Sequence, residues 1–119
     1  MAREFGLLTA PEVAELAGSQ ASNRSALASR WKAEGRIWSV PYKGQQLWPG
    51  FQFDKDGQPH AVIAEVLAAL PKAASPWGRT LWFVSANGWL DGERPVDLLA
   101  SRTEDILEAA RREADELGT

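Results

Sequence analysis

The chain has 119 residues, enough for one ordinary domain or for two very small ones sharing a core. Hydrophobic residues make up 45% and charged residues 24%, a balance that excludes the charge-rich, core-poor signature of a disordered chain. There is no cysteine, so a disulfide framework, a thiolate zinc site and a cysteine nucleophile are all ruled out, and a reducing cytoplasm is the natural home.

The first residues, Met1-Ala2-Arg3-Glu4-Phe5, carry no apolar stretch of signal-peptide length. No apolar run approaches the roughly eighteen residues needed to cross a bilayer. The expectation is a soluble cytoplasmic protein with no membrane partner. The net charge of −3 is unevenly spread: residues 1–60 sum to plus one and residues 61–119 to minus four. Between residues 18 and 46, Arg24, Arg30, Lys32, Arg36 and Lys43 face Glu34 alone. That local excess of cations suits phosphates.

Thr9-Ala10-Pro11-Glu12 has the form of a capping box, in which the threonine hydroxyl and the glutamate each satisfy a free amide at a helix start. Val13, Leu16 and Ala17 continue at helical spacing and Gly18 closes a helix too short to stand alone. After a polar turn, residues 23–34 place Leu27 and Trp31 on one helical face, ended by Gly35. Ser25, Ser29 and Lys32 lie roughly opposite that face, and Asn23 and Arg24 sit at the N-terminal end that enters a major groove. Small hydroxyls permit close approach, Asn23 and Arg24 suit base edges, and Lys32 suits phosphate. The plain alternative is a polar solvated face.

Two runs follow, 37–40 and 46–48, rich in aromatic and β-branched residues and separated by Pro41-Tyr42-Lys43-Gly44-Gln45. They predict a β-hairpin wing with Lys43 at its tip, reaching the DNA backbone or merely solvated. Over residues 7–50 the order resembles the compact winged helices of MerR-type and excisionase-type DNA-binding domains. Residues 51–59, with Phe51, Phe53 and an Asp56-Gly57 turn, read as a short joint packed between two halves. Asp54 and Asp56 superficially suggest a calcium loop, but His60, Val62 and Glu65 fall in the wrong order for one.

Residues 60–70 predict a helix with Val62, Ile63, Val66, Leu67 and Leu70 as its apolar stripe, terminated by Pro71. Ser75-Pro76 opens another, apolar almost all round through Trp77, Leu81, Trp82, Phe83 and Val84, which demands burial on several sides or a protein partner. A short segment spans 95–100, and a last helix opens at Thr103 and closes at Gly118. Catalytic material is sparse: His60 is the only histidine, and there is no phosphate-binding glycine loop, metal-ligand cluster or nucleophile elbow. No enzyme activity, cofactor or metal is expected.

The stretch Asn87-Gly88-Trp89-Leu90-Asp91-Gly92-Glu93-Arg94-Pro95-Val96-Asp97-Leu98-Leu99 resembles the toxin-binding domain of Xre, MbcA and ParS-like antitoxins, with Gly88 where proline is usual and Asp91 where glycine is common. The resemblance covers roughly residues 60–117. It implies a type II antitoxin that blocks a RES-domain toxin, an NAD-consuming or ADP-ribosyl-transferring enzyme, and represses its own operon. Trp89, Leu90, Arg94 and Pro95 match the motif turn, and Asp97 and Leu99 the helix after it. Trp89 and Leu90 are then interface anchors, or else plugs of their own core; Arg94 clamps a partner, or else pairs with Asp91 or Asp97.

The expected architecture is mainly α with a small β-hairpin wing: a winged helix-turn-helix over 1–50, a joint over 51–59 and a helical toxin-binding domain over 60–119. The expected partners are a cognate RES-domain toxin, operator DNA and a second copy of the chain. Two rivals remain, a stand-alone DNA-binding transcriptional regulator whose helical half dimerises it, and an interaction adaptor with a degenerate helix-turn-helix.

Overall fold

The computed structural model describes residues 6–18, 25–70 and 74–116. They form five α-helices, three short 3-10 turns and a small three-stranded antiparallel sheet. The chain divides into two compact units, residues 1–63 and 64–119.

In the first unit, strand β1 (Leu7–Leu8) leads into helix α1 (Ala10–Leu16). The capping box is formed: Glu12 N–H donates to Thr9 Oγ1 at 3.3 Å and Thr9 N–H donates to Glu12 Oε1 at 2.8 Å. Helix α2 (Ser25–Ala33) follows, then strands β2 (Val40–Tyr42) and β3 (Gln45–Pro49). The sheet order is β1-β3-β2, with Leu8 opposite Trp48 and Val40 opposite Leu47. Two helices packed together and followed by a hairpin is the order of a winged helix.

Three local readings change. Residues 37–39 are buried but carry no strand pairing, so the hairpin starts at Val40. The turn is the two residues Lys43 and Gly44, both at positive φ, and Pro41 lies within edge strand β2, where a missing N–H costs little. Strand β1 had no counterpart among the expected elements; two residues acquire strand character only through pairing with β3.

One apolar cluster joins these pieces: Val13, Ala28, Trp31, Ile37, Trp48 and Phe53, with Leu8, Ala17 and Leu27 packed against it. Residues 51–59, expected as a joint, continue the first unit. Gly50–Gln52 form a 3-10 turn, and Phe53 bridges to Pro59. Fully buried Gln52 accepts from Trp38 N–H at 2.8 Å and donates from Nε2 to the carbonyls of Trp38 at 2.9 Å and Pro49 at 3.0 Å. Gly57 sits at φ +75°, and a Cβ there would meet Leu16 O, so the backbones approach too closely for any side chain.

Helix α3 (Ala61–Ala69) contains the boundary between units, with Val62, Ile63 and Val66 buried along it. Pro71, expected to terminate it, lies outside the described residues. Helix α4 (Pro76–Val84) begins at Ser75, whose Oγ accepts from Gly78 N–H at 2.9 Å. Two 3-10 turns, Gly88–Leu90 and Pro95–Leu98, precede helix α5 (Thr103–Glu116), which packs on both. Phe83, Leu90, Leu98, Ile106 and Ala110 are buried in this unit. Gly118, the expected close of α5, lies outside the described residues. No described helix is long and apolar enough to cross a membrane.

Candidate functional site

In the first unit α2 buries Ala28 and Trp31 and exposes Ser29, Arg30 and Lys32. Ser25 is its first residue, while Asn23 and Arg24 lie outside the described residues. The buried pair is spaced so that one face is held against α1 and the core, leaving the intervening hydroxyl and cations outward.

The wing is tied to this helix by a polar relay. Lys32 Nζ donates to Ser39 Oγ at 2.8 Å, and Ser39 Oγ donates to Gln46 Oε1 at 2.8 Å. Ser39 is buried, so the relay runs from the outer face of α2 through the fold to strand β3. Lys32 thus has a positioning contact that spacing alone did not indicate. An ammonium carries two further protons to donate.

At the wing tip Lys43 stands at φ +49°, with its Nζ 5.4 Å from the Tyr42 ring. Both side chains are exposed. Arg30 and Tyr42 are the surface residues that the sequence reading left out of this face; the cation excess over 18–46 already contained Arg30, and Tyr42 stood beside the expected turn. Glu34, the one acid of that stretch, lies 3.8 Å from Arg36, whose guanidinium is also 5.4 Å over the Trp31 ring.

In the second unit, Asn87 builds the turn that carries Trp89. Its Oδ1 accepts from Trp89 N–H at 2.8 Å, and its carbonyl accepts from Leu90 N–H and Gly92 N–H, each at 2.9 Å. Asp91 takes the left-handed conformation, φ 58°, and Gly92 follows at φ 85°. With these bonds the turn closes without proline at position 88.

The six residues taken from the antitoxin resemblance separate sharply here. Leu90, Pro95 and Leu99 are buried and belong to the unit's own core. Arg94 pairs with Asp97 in the same turn, Nε to Oδ2 at 2.8 Å and the terminal nitrogen to Oδ1 at 3.0 Å, and this guanidinium holds the Asp97 carboxyl below the ordinary carboxylate range. Only Trp89 of the six is an exposed large apolar side chain, at 46%. Arg112 lies over its ring at 5.2 Å and is 3.7 Å from Glu108.

Beside Trp89 opens a cleft of about 350 Å³, lined among others by Gly78, Leu81, Trp82, Asn87 and Glu113. Leu81 is 51% exposed, the part of α4's all-round apolarity that the fold does not bury.

No family model matches the chain, and no curated protein matches it. Among solved structures, it is similar to the NMR structure of Rv2175c, with a TM-score of 0.74 at 23% identity, over 91% of this chain and 80% of that one. At that identity the likeness is one of fold.

Proposed function

We propose that this chain is a DNA-binding regulator that reads a duplex with α2 and the β2–β3 wing, its second unit serving to dock a protein. One observation carries the reading: α2 buries Ala28 and Trp31 while turning Ser29, Arg30 and Lys32 outward, immediately before a hairpin with Lys43 at its tip. A helix with small hydroxyls and cations outward, backed by a cationic wing, suits a major groove flanked by phosphates. Asn23 and Arg24, which precede α2 in the sequence, and Ser25, its first residue, are included in the proposal as base contacts. Dimerisation on a two-fold site is part of the proposal, since paired half-sites give small readers their affinity.

The test is a reporter fused to the chain's own upstream region. Repression by the intact protein that is relieved at least tenfold by Arg30→Ala with Lys43→Ala supports the reading. Equal expression with and without the protein contradicts it.

The more specific reading, an antitoxin that blocks a RES-type toxin, is favoured by Trp89 and Leu81, both half-exposed beside one cleft. Large apolar groups held at a surface are what a partner's hot spots use. In this reading Trp89 is the anchor, while Leu90, Pro95, Leu99 and the Arg94–Asp97 pair hold it in place. Co-expression with the protein encoded next to it, scored for relief of growth arrest by the intact chain and its loss in Trp89→Ala, distinguishes this antitoxin from a stand-alone regulator whose second unit only dimerises.

A further inference from the structure

We infer that the cleft beside Trp89 is a receptor for an arginine side chain presented by an apolar, basic segment of a partner protein. The inference deepens the docking role given to the second unit and is independent of DNA binding by the first.

Shape and lining define the occupant. About 350 Å³ falls within the range of small-ligand pockets and accommodates one long side chain with its flanking backbone. Trp82 and Trp89 contribute indole rings, Leu81 an aliphatic wall, and Glu113 is the one ionisable side chain lining the cleft. Aromatic faces attract cations, and a carboxylate beside them completes the match. Glu113 has no ion pair among the described residues, whereas its neighbour Arg112 is engaged with Glu108 and Trp89.

Two further observations select arginine within a peptide. Arg112 already stands 5.2 Å over the Trp89 ring, so this indole is set in a position that a guanidinium can approach. A planar guanidinium both stacks on indole and forks to a carboxylate, which a compact ammonium does not. Leu81, 51% exposed on the cleft wall, offers an apolar contact to the residues flanking that arginine, which a free guanidinium ligand would leave bare. Charge complementarity agrees: residues 64–119 carry six Lys/Arg against ten Asp/Glu, so the unit as a whole draws a basic partner and repels nucleic acid.

The experiment uses the full ¹⁵N-labelled chain and two probes, acetyl-Ala-Leu-Arg-Leu-amide and the same peptide with neutral citrulline in place of arginine. The indole N–H signals of the six tryptophans are assigned by single Trp→Phe substitutions. The arginine peptide is expected to shift the Trp82 and Trp89 signals and to bind at least about fivefold more tightly than the citrulline peptide. Glu113→Gln, with unchanged thermal unfolding, is expected to reduce that preference to within about twofold. Equal binding of both peptides, shifts confined to other tryptophans, or an undiminished preference in Glu113→Gln overturns the inference. So does movement of the same two signals on concentrating the protein alone, which assigns the cleft to a second copy. None of these results alters the reporter assay, so failure here and failure of the DNA reading are separable.

Discussion

The candidate faces of the two units treat their polar and aromatic residues in opposite ways. On α2 the described candidates stay at the surface: Ser29 and Lys32 are exposed because Ala28 and Trp31 fill the core side. On the turn from Asn87 to Leu99 the fold consumes most of the residues that a sequence would nominate for a partner. Leu90, Pro95 and Leu99 are interior, and Arg94 and Asp97 satisfy each other. The lesson is physical. Cations on a helix have little reason to be inside, whereas tryptophan, leucine and paired arginine serve a core or an interface equally well.

The contrast is open to attack at several points, beginning with the deepest. Gln52→Leu removes a clamp that leaves the Trp38 N–H and two carbonyls unpaired inside the first unit, and is expected to cost about 4 kcal/mol in urea unfolding. Adjacent residues in the second unit are expected to diverge. Leu90→Ala costs about 3 kcal/mol because it empties a core position, and Trp89→Ala only about 1 kcal/mol because half its surface is already in water. Similar costs for the two would erase the distinction between core plug and surface anchor.

A smaller effect is expected in acid. Arg94 beside Asp97, the Gln58 and Asp56 amides beside Asp54, and the Thr9 amide and hydroxyl beside Glu12 all depress their carboxyls. Each group ionises more readily folded than unfolded, so its contribution is complete above about pH 5.5 and is lost as pH falls through about 4 and below. A thermal midpoint that stays level from about pH 7 to 5.5 and then declines bears this out; a midpoint that rises on acidification contradicts it. The smallest change belongs to Arg94→Gln, a shift of the unfolding midpoint close to the error of the measurement, since that pair is open to solvent.

Where local chemistry decides, the sequence was readable. Thr9 with Glu12 and Ser75 with Pro76 announced the starts of α1 and α4, and the apolar spacing around Trp31 announced the buried face of α2. Where pairing at a distance decides, it was not. Leu7 and Leu8 become a strand because β3 lies beside them, and residues 37–39 fail to become one despite suitable side chains. Lys43 at positive φ concealed a two-residue hairpin loop, since that position usually holds asparagine, aspartate or glycine. Gln52 gave no sign of its burial, because glutamine is ordinarily a surface residue and its three bonds depend on Trp38 and Pro49 arriving around it. The cleft gathers residues from α4, the Trp89 turn and α5, so no single stretch of sequence contained it.

The account rests on α2 and its wing meeting phosphates. Fluorescence anisotropy on a 30-base-pair duplex from the chain's own upstream region, repeated across salt concentrations, measures this directly. The predicted result is a logarithmic fall of affinity with salt whose slope shrinks by about 0.9 in Lys43→Ala and again in Arg30→Ala, while Arg111→Ala in α5 leaves it unchanged. A slope near zero, or one that Lys43→Ala and Arg30→Ala do not alter, contradicts the account.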